Sequence, residues 1–293
     1  MNPVEPSTTT LAGRIQRFVP ARVATPAGEV EFRRAGTAPA GVTHVLLHGI
    51  GSGSGSWLMQ LEAAARSEGV GVLAWEAPGY GASSPVGAAH PDAGDYASRL
   101  WAWLDALDVS QPVTLVGHSL GALMATRAAL QRPRQVARLV LLSPAQGYAR
   151  ASEEDRAKKL NDRLANLQAL GPAGMAQKRG AAMLSPRADA AHVAYVQSIM
   201  AQVHVGGYTQ ASHLLAGGDL LADLAKVTCP VAVASGQADT ITLPAGCQAV
   251  AAAAGVPWTD LGDAGHACAL DAFGKVNALL GLPDSGKQQK AAV

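Results

Sequence analysis

The 293-residue sequence contains little charge, few aromatic residues and almost no cysteine. Charged residues make up 15% of the chain and the formal net charge is +1, so the basic surface that nucleic acids or anionic membranes attract is not expected. The three cysteines, Cys229, Cys247 and Cys268, are too few and too scattered for a disulfide framework or a four-thiolate metal site. No run reaches the about 18 consecutive apolar residues of a membrane-spanning helix.

The first residues also lack the features of a secretory signal. They contain Pro3, Glu5 and Pro6 where such a signal needs a basic start and an unbroken apolar block. We therefore expect a cytoplasmic protein with reduced thiols. The apolar fraction, in contrast, is 48%, which excludes a disordered chain and predicts a sizeable core made mainly of Ala, Val and Leu.

Short apolar runs alternate with longer helical patterns through most of the chain. After a hairpin around Gly28, strands are predicted at 44–47, 70–75, 113–116, 137–142 and 230–234, and a last strand and helix between 258 and 280. Helices are predicted at 57–67, 96–107, 122–131 and 243–254. The alternation predicts an α/β fold with a mostly parallel sheet that is covered by helices on both faces.

Between residues 146 and 218 the strand pattern is replaced by helix signals. One helix is predicted over 152–170, with Gly171-Pro172 as its stop, and a second over 188–203. The glycine pairs at 206–207 and 217–218 are predicted to punctuate the chain that follows. The charged run 153–159 is interpreted as a solvated helix face. The predicted domain plan is a flexible N-terminal arm at 1–20, a core at 21–145 and 219–282, a helical cap at 146–218 and a disordered tail at 283–293.

The sharpest motif is Gly117-His118-Ser119-Leu120-Gly121, which follows a predicted strand and precedes a predicted helix. Glycines two positions on either side of a serine are needed where a tight, strained turn pushes one side chain outward. The N-terminus of the following helix would stabilise an anion that develops at this position. The motif predicts Ser119 as a nucleophile, with His118 as a packing residue of the turn.

A serine nucleophile needs a base and a carboxylate that orients the base. Asp239 follows a predicted strand, and His266 lies in a glycine-flanked loop after the last strand, which gives the order Ser, Asp, His. Asp260 and Asp263 are alternatives for the carboxylate, and Asp239 alternatively caps a helix. Cys268 is an alternative nucleophile, but a buried apolar role fits it better. The remaining histidines lack the spacing of metal ligands, so no metal is expected.

The glycine-rich loop 48–57 follows the strand at 44–47. Its glycines allow backbone amides to approach a substrate oxygen, and the amides of Ile50 and Leu120 are our candidates for an oxyanion hole. A phosphate-binding loop is disfavoured because the glycine spacing is wrong and no Gly-Lys-Ser or Gly-Lys-Thr occurs. Candidate substrate-pocket residues are Trp57, Met175, Met183 and Met200. Packing within the cap is the alternative role for the methionines.

Together these motifs resemble the α/β-hydrolase superfamily, in particular its small capped members, which include enol-lactonases, esterases, haloperoxidase-like enzymes and hydrolases of ring-cleavage products. The resemblance covers about residues 25–282. It implies an eight-stranded, mostly parallel sheet with a cap inserted after the sixth strand. By position it implies Ser119 as nucleophile, Asp239 as orienting acid and His266 as base, with Ile50 and Leu120 as amide donors.

The sequence departs from the family pattern in two respects, and the second of them bears on the expected activity. Glu76 stands where the family usually has Asp, and we expect it to keep a structural turn role. Ring-cleavage hydrolases usually have Gly-Pro-Gly in the first loop and Trp after the catalytic His, whereas this chain has Gly53-Ser54-Gly55 and Ala267. We therefore predict a cofactor-free serine hydrolase of a small carboxylic ester or lactone.

Two alternative activities, beside a non-catalytic ligand receptor on the same scaffold, stay open at this point. One is hydrolysis of a carbon–carbon bond in a meta-cleavage-type product, and the other is a cofactor-free oxygenase or haloperoxidase-like reaction on the same fold. In each case the expected partner is a small-molecule substrate rather than a nucleic acid or a membrane. A homodimer is neither indicated nor excluded by the sequence.

Overall fold

The computed structural model describes residues 9–36 and 41–283. The strands are β1 (Ala21–Thr25), β2 (Gly28–Gly36), β3 (His44–Leu47), β4 (Gly71–Trp75), β5 (Val113–His118), β6 (Val136–Leu142), β7 (Val231–Ser235) and β8 (Trp258–Asp260). They form one sheet in the order β1-β2-β4-β3-β5-β6-β7-β8. The pairs β1–β2 and β2–β4 are antiparallel, and all other pairs are parallel. The predicted eight-stranded, mostly parallel sheet is confirmed.

Helices connect and cover the strands. They are α1 (Leu11–Ile15), α2 (Leu58–Ala65), α3 (Ala93–Ala106), α4 (Gly121–Gln131), α5 (Glu153–Arg179), α6 (Ala190–Met200), α7 (Val205–Gly217), α8 (Leu220–Leu224), α9 (Pro244–Ala253), α10 (Cys268–Asp271) and α11 (Phe273–Leu280). Strand β3 shows how both faces are buried. Val45 and Leu47 pack in one apolar cluster with α3 and α4, while Leu46 packs in a second cluster with α2 and α11.

The segment between β6 and β7, which we call the helical insertion (residues 146–218), contains α5, α6 and α7. Helix α5 is interrupted at Gly171, whose φ of +61° and ψ of 174° are not helical. This is the predicted stop, but the chain returns to helix at once with Pro172, since proline is favoured at the first position of a helix. The α5 axis is therefore broken into two parts. Across the described residues, no helix is both long and apolar enough to cross a membrane.

Two segments differ from their prediction. Residues 11–15 of the predicted flexible arm form α1, which Thr10 caps and which buries Leu11 and Ile15 in the core. The glycine pair at 206–207 is predicted to punctuate the chain, yet it lies within α7. Residues 1–8 of the predicted arm and residues 284–293 of the predicted tail lie outside the described residues.

Candidate active site

Ser119 lies in a sharp turn between β5 and α4. Its φ angle is +52°, a left-handed conformation that is uncommon for residues other than glycine. The Ser119 N–H donates to the Leu142 carbonyl at 3.0 Å, and the Ser119 carbonyl accepts from the Ala145 N–H at 3.1 Å. The turn therefore holds this residue firmly at the carboxyl edge of the sheet, where ligands bind in open α/β folds.

Gly117 and Gly121 are required by close backbone approaches around this turn. A Cβ atom on Gly117 would lie 2.5 Å from the Gly121 carbonyl oxygen, and one on Gly121 would lie 2.2 Å from the Leu47 carbonyl oxygen. Both distances are far shorter than a van der Waals contact, so a larger residue would displace the backbone. The glycine spacing in the sequence thus has a steric cause.

His266 and Asp239 form a buried pair in the loops that follow β8 and β7. The Nδ1 atom of His266 lies 3.0 Å from Oδ2 and 3.2 Å from Oδ1 of Asp239. The exposed fraction is 2% for His266 and 1% for Asp239. This contact favours the tautomer with the proton on Nδ1, which leaves Nε2 as the proton acceptor.

The Asp239 carboxylate accepts three further hydrogen bonds within its own turn. The N–H groups of Ile241 and Thr242 donate to Oδ1 at 2.9 Å, and the Thr242 hydroxyl donates to Oδ2 at 2.8 Å. Burial alone would raise the pKa of Asp239, but the hydrogen bond and charge of His266 and the hydrogen bonds of Thr242 hold this pKa well below its usual value. Asp239 is therefore ionised at neutral pH. It closes this turn rather than capping a helix, since α9 starts only at Pro244.

The two alternative carboxylates lie away from the imidazole. Asp260 accepts hydrogen bonds from a glutamine side chain and from a backbone amide of its own turn. Asp263 forms a surface ion pair with Arg187 at 3.0 Å. His266 contacts Asp239 instead, so of the three carboxylates considered, Asp239 is the one positioned to orient the ring.

Ser119 and His266 line the same cavity, and no hydrogen bond joins the Ser119 hydroxyl to the His266 ring in the part of the chain described. Catalytic contacts of this kind often tighten only when substrate binds. His118 supports the His266 loop, because its Nε2 lies 2.8 Å from the His266 carbonyl oxygen. Burial, and then the charge of His266, lowers the pKa of His118 to about 3. The neutral His118 ring therefore donates this hydrogen bond.

The backbone amides of Ile50 and Leu120 are both unused. Neither N–H donates to an acceptor within residues 9–36 and 41–283. Leu120 occupies the N-cap position of α4, so its amide lies at the positive end of the helix dipole. Ile50 lines the cavity that contains Ser119. Two free amides, one next to Ser119 in the chain and one in a residue that lines the same cavity, have the chemistry that a tetrahedral oxyanion requires.

His48 and Glu76 support the loop that carries Ile50. The Nδ1 atom of the buried His48 ring lies 2.9 Å from the carbonyl oxygen of the next residue. Its Nε2 atom accepts a hydrogen bond at 3.0 Å from the backbone N–H of the residue that follows Glu76. Burial is the main reason that the pKa of His48 is lowered. Glu76 accepts from the N–H and the hydroxyl of Ser54 at 2.9 and 2.6 Å. The structural turn role expected for Glu76 is thus observed.

A cavity of about 440 Å³ adjoins Ser119 and His266, a size suited to a small organic molecule. The helical insertion supplies much of its apolar wall through Leu167, Met175, Met183, Met200 and Val203. Trp57, in contrast, is fully buried in the apolar cluster of α2 and lines an adjoining cavity of only about 40 Å³. Met175, Met183 and Met200 thus line the cavity beside Ser119, whereas Trp57 lines the smaller one.

Sequence reasoning missed several polar residues of the main cavity. Thr242 lines this cavity, and its hydroxyl oxygen lies 3.1 Å from His266 Nδ1. The others are Gln146, Tyr148, Lys159, Arg163, Arg179 and Tyr208. Lys159 ends the charged run interpreted as a solvated face, and although it is exposed, it borders the cavity. Which side of α5 faces the site depends on how the helix docks, and a charge pattern alone does not contain that information.

Cys268 is excluded as the nucleophile by its surroundings. Its side chain is fully buried, and burial raises the pKa of the Cys268 thiol to about 12. A protonated, enclosed thiol is a poor nucleophile. Among the described residues, no group of three or more His, Cys, Asp and Glu side chains is arranged to hold a metal ion.

Comparison with known proteins identifies the family. Residues 45–279, most of the chain, match the model of the alpha/beta hydrolase family. The chain belongs to this family, and it is a hydrolase of the α/β-hydrolase fold.

Individual relatives agree with this assignment. The (E)-2-((N-methylformamido)methylene)succinate hydrolase of Acinetobacter baylyi is 28% identical over 200 residues, which cover 67% of this chain and 72% of the relative. The enol-lactonase from Burkholderia xenovorans LB400 superposes with a TM-score of 0.76 at 18% identity, covering 89% of this chain and 98% of that one. A hydrolase from Pseudomonas aeruginosa PA01 gives a TM-score of 0.76 at 26% identity over 90% and 98%.

Proposed function

We propose that the chain is a serine hydrolase that cleaves a small carboxylic ester or lactone through Ser119, His266 and Asp239. The observation that carries this proposal is the buried His266–Asp239 pair, at 3.0 Å, on the cavity that also contains Ser119 in its strained turn. The unused amides of Ile50 and Leu120 support it further.

In this mechanism, His266 Nε2 removes the Ser119 proton while the Ser119 oxygen attacks the acyl carbon. Asp239 keeps the ring oriented and stabilises the imidazolium that forms. The carbonyl oxygen becomes an anion and accepts hydrogen bonds from the amides of Ile50 and Leu120. The alcohol then leaves with the proton from His266, and an acyl ester of Ser119 remains. Water activated by His266 cleaves this ester and releases the acid.

The helical insertion acts as a cap in this proposal. Its residues form part of the cavity wall beside Ser119, so a bound substrate is partly shielded from water. Because the apolar wall is rich in methionine, whose side chain adapts to irregular shapes, acyl groups of different outline fit against it.

The test of this function compares the wild type with Ser119→Ala on a panel of esters and lactones of increasing acyl length. An N-alkylformamide is included because the name of the Acinetobacter baylyi relative contains a methylformamido group. We expect kcat to fall by about 10³-fold or more in Ser119→Ala. Ser198→Ala, which changes a hydroxyl that bonds within its own helix, is the matched control and retains activity.

Labelling with a fluorophosphonate separates nucleophilic catalysis from its alternatives. The probe is expected to modify the wild type at Ser119 and to leave Ser119→Ala unmodified. Undiminished turnover by Ser119→Ala would reject the serine mechanism in favour of the oxygenase or haloperoxidase-like alternative. Turnover of a meta-cleavage-type product well above every ester and lactone would favour carbon–carbon hydrolysis.

A further inference from the structure

Three cationic side chains of helix α5 line the cavity that contains Ser119 and His266: Lys159, Arg163 and Arg179. No Asp or Glu of the described residues lines this cavity. The proposed triad accounts for the reacting end of a substrate but gives no role to these positive charges. Their concentration at one wall therefore requires a separate explanation.

The three cations share one side of the broken helix. Lys159, Arg163 and Leu167 follow each other at intervals of four residues, and all three line the cavity. After the break at Gly171, Met175 and Arg179 repeat the same interval and line it again. Side chains four residues apart lie on one face of a helix, so the geometry of α5 directs this mixed cationic and apolar face to the cavity.

These cations also lack the carboxylate partners that their neighbours have. Lys158, adjacent to Lys159, forms an ion pair with Asp162 at 2.7 Å. None of the three cavity cations forms an ion pair within the described residues. Arg163 is half-buried and donates instead to the Tyr208 hydroxyl at 3.3 Å. A guanidinium withdrawn from water without a counter-charge is unfavourable, so it favours an anion that arrives with the ligand.

We propose that the substrate carries a carboxylate, and that Arg163, assisted by Lys159 and Arg179, binds it while Ser119 attacks the ester or lactone carbonyl elsewhere in the same molecule. This inference rests on the proposed function and specifies its substrate class. The planar guanidinium of Arg163 matches a carboxylate through two parallel N–H donors. The Tyr208 hydroxyl holds the Arg163 side chain in the cavity wall.

The first test uses two chromogenic esters that differ in one charge. Mono-4-nitrophenyl adipate carries a free carboxylate at the far end of its acyl group, and its methyl ester carries none. We expect kcat/KM to be about 10-fold or more higher for the acid, because only the acid offers a charged acceptor to the guanidinium of Arg163. A second pair, 4-carboxyphenyl butyrate and phenyl butyrate, places the carboxylate on the leaving group instead.

Arg163→Gln is expected to lower kcat/KM for the favoured acid by about 10- to 100-fold, mainly through KM, and to lower kcat/KM for the neutral ester much less, so that the preference for the acid is lost. Arg163→Lys restores part of the loss because the charge returns without the planar fork. Lys178→Gln is the matched control, since Lys178 adjoins Arg179 in sequence but does not line the cavity. We expect it to leave both activities unchanged.

The inference is overturned if neither acid is preferred over its neutral partner, or if the preference survives replacement of Lys159, Arg163 and Arg179 together by Gln. Calorimetric binding of adipate to Ser119→Ala separates this outcome from failure of the proposed function. Adipate that binds Ser119→Ala but not Ser119→Ala/Arg163→Gln supports the anion site even if no ester or lactone is hydrolysed. Hydrolysis of neutral esters without adipate binding or acid preference rejects the anion site and retains the hydrolase.

Discussion

Thr242 links the turn after β7 to the imidazole. Its hydroxyl is 2.8 Å from Asp239 Oδ2, 3.1 Å from His266 Nδ1 and 3.0 Å from the Ser143 carbonyl oxygen. The hydroxyl proton points to the carboxylate or to the carbonyl oxygen, and the hydroxyl oxygen can accept from the protonated Nδ1, so Thr242 limits where the carboxylate and the ring can lie. We infer that it is a positioning residue for the His266–Asp239 pair.

Replacement of Thr242 tests this role. Thr242→Val keeps the shape but removes the hydroxyl, so Asp239 loses one hydrogen bond and we expect kcat to fall by about 5- to 10-fold. KM is expected to change little, and Thr242→Ser is expected to keep most of the wild-type kcat. Steady-state kinetics on one ester, with thermal denaturation to verify folding, measures both variants. Equal losses in Thr242→Val and Thr242→Ser would contradict the hydrogen-bond role.

The sequence indicates Ser119, Asp239 and His266 because each lies in a loop or turn after a strand and because glycine spacing is sterically required around Ser119. The structure brings these three residues to one site. Thr242 carries no comparable signal. It reaches the imidazole only because the turn closed by Asp239 returns the chain, and that conformation depends on hydrogen bonds that no residue pattern specifies.

At the scale of elements, α7 docks on the core through two glycines in contact. A Cβ atom on Gly207 would lie 2.1 Å from the Gly79 carbonyl oxygen, whereas one on the adjacent Gly206 would meet nothing within 4 Å. Tyr208, the next residue of α7, lines the main cavity. The position of the helix and the shape of the cavity therefore depend on this close approach.

Gly207→Ala is expected to push α7 away from the core and to lower the free energy of unfolding by about 1–3 kcal/mol. Because Tyr208 moves with the helix, KM is also expected to rise. The matched control Gly206→Ala has room for its methyl group and is expected to stabilise the protein by about 0.4–1 kcal/mol. Urea denaturation and steady-state kinetics compare the two. Similar effects from both substitutions would show that the close approach does not hold α7 in place.

The glycines that this contact requires are also the reason why the sequence does not predict α7. Glycine disfavours helix by about 1 kcal/mol relative to alanine, so the pair at 206–207 indicates a break in the chain. In the structure the helix tolerates this cost because only glycine permits the contact at Gly79. The core elements lack such conflicts, since apolar runs and turn residues there favour the same structure, and their prediction is confirmed.

At the scale of the whole molecule, the candidate site combines two parts of the chain. The sheet and its loops supply Ser119, Asp239 and His266, whereas the helical insertion supplies the methionines and cations of the cavity wall. The formal net charge of the whole chain is nearly zero because acidic residues elsewhere balance these cations, so it does not reveal the local concentration of positive charge. A count over the whole sequence therefore cannot indicate an anionic substrate, although the docked face of α5 does.

The buried histidines also couple the stability of the whole molecule to pH. His48 and His118 both have lowered pKa values because they are buried, and that of His118 is about 3 against an ordinary value of 6.5. Between about pH 6.5 and about pH 3 the unfolded chain thus binds a proton at His118 that the folded protein excludes. Stability rises with pH wherever the unfolded state binds more protons, so acidification through this range destabilises the fold.

We expect the free energy of unfolding to fall as pH is lowered below about 6.5, by up to about 1.4 kcal/mol per pH unit for His118. The low pKa of Asp239 adds loss in the same direction, but only below its unfolded value of 3.8. Urea denaturation between pH 7.5 and pH 4.5 would measure the slope. His118→Gln is expected to reduce that slope by about one proton, since the group that must remain neutral in the fold is gone. An unchanged slope in His118→Gln would show that His118 is charged in the folded protein or that other groups control its acid sensitivity.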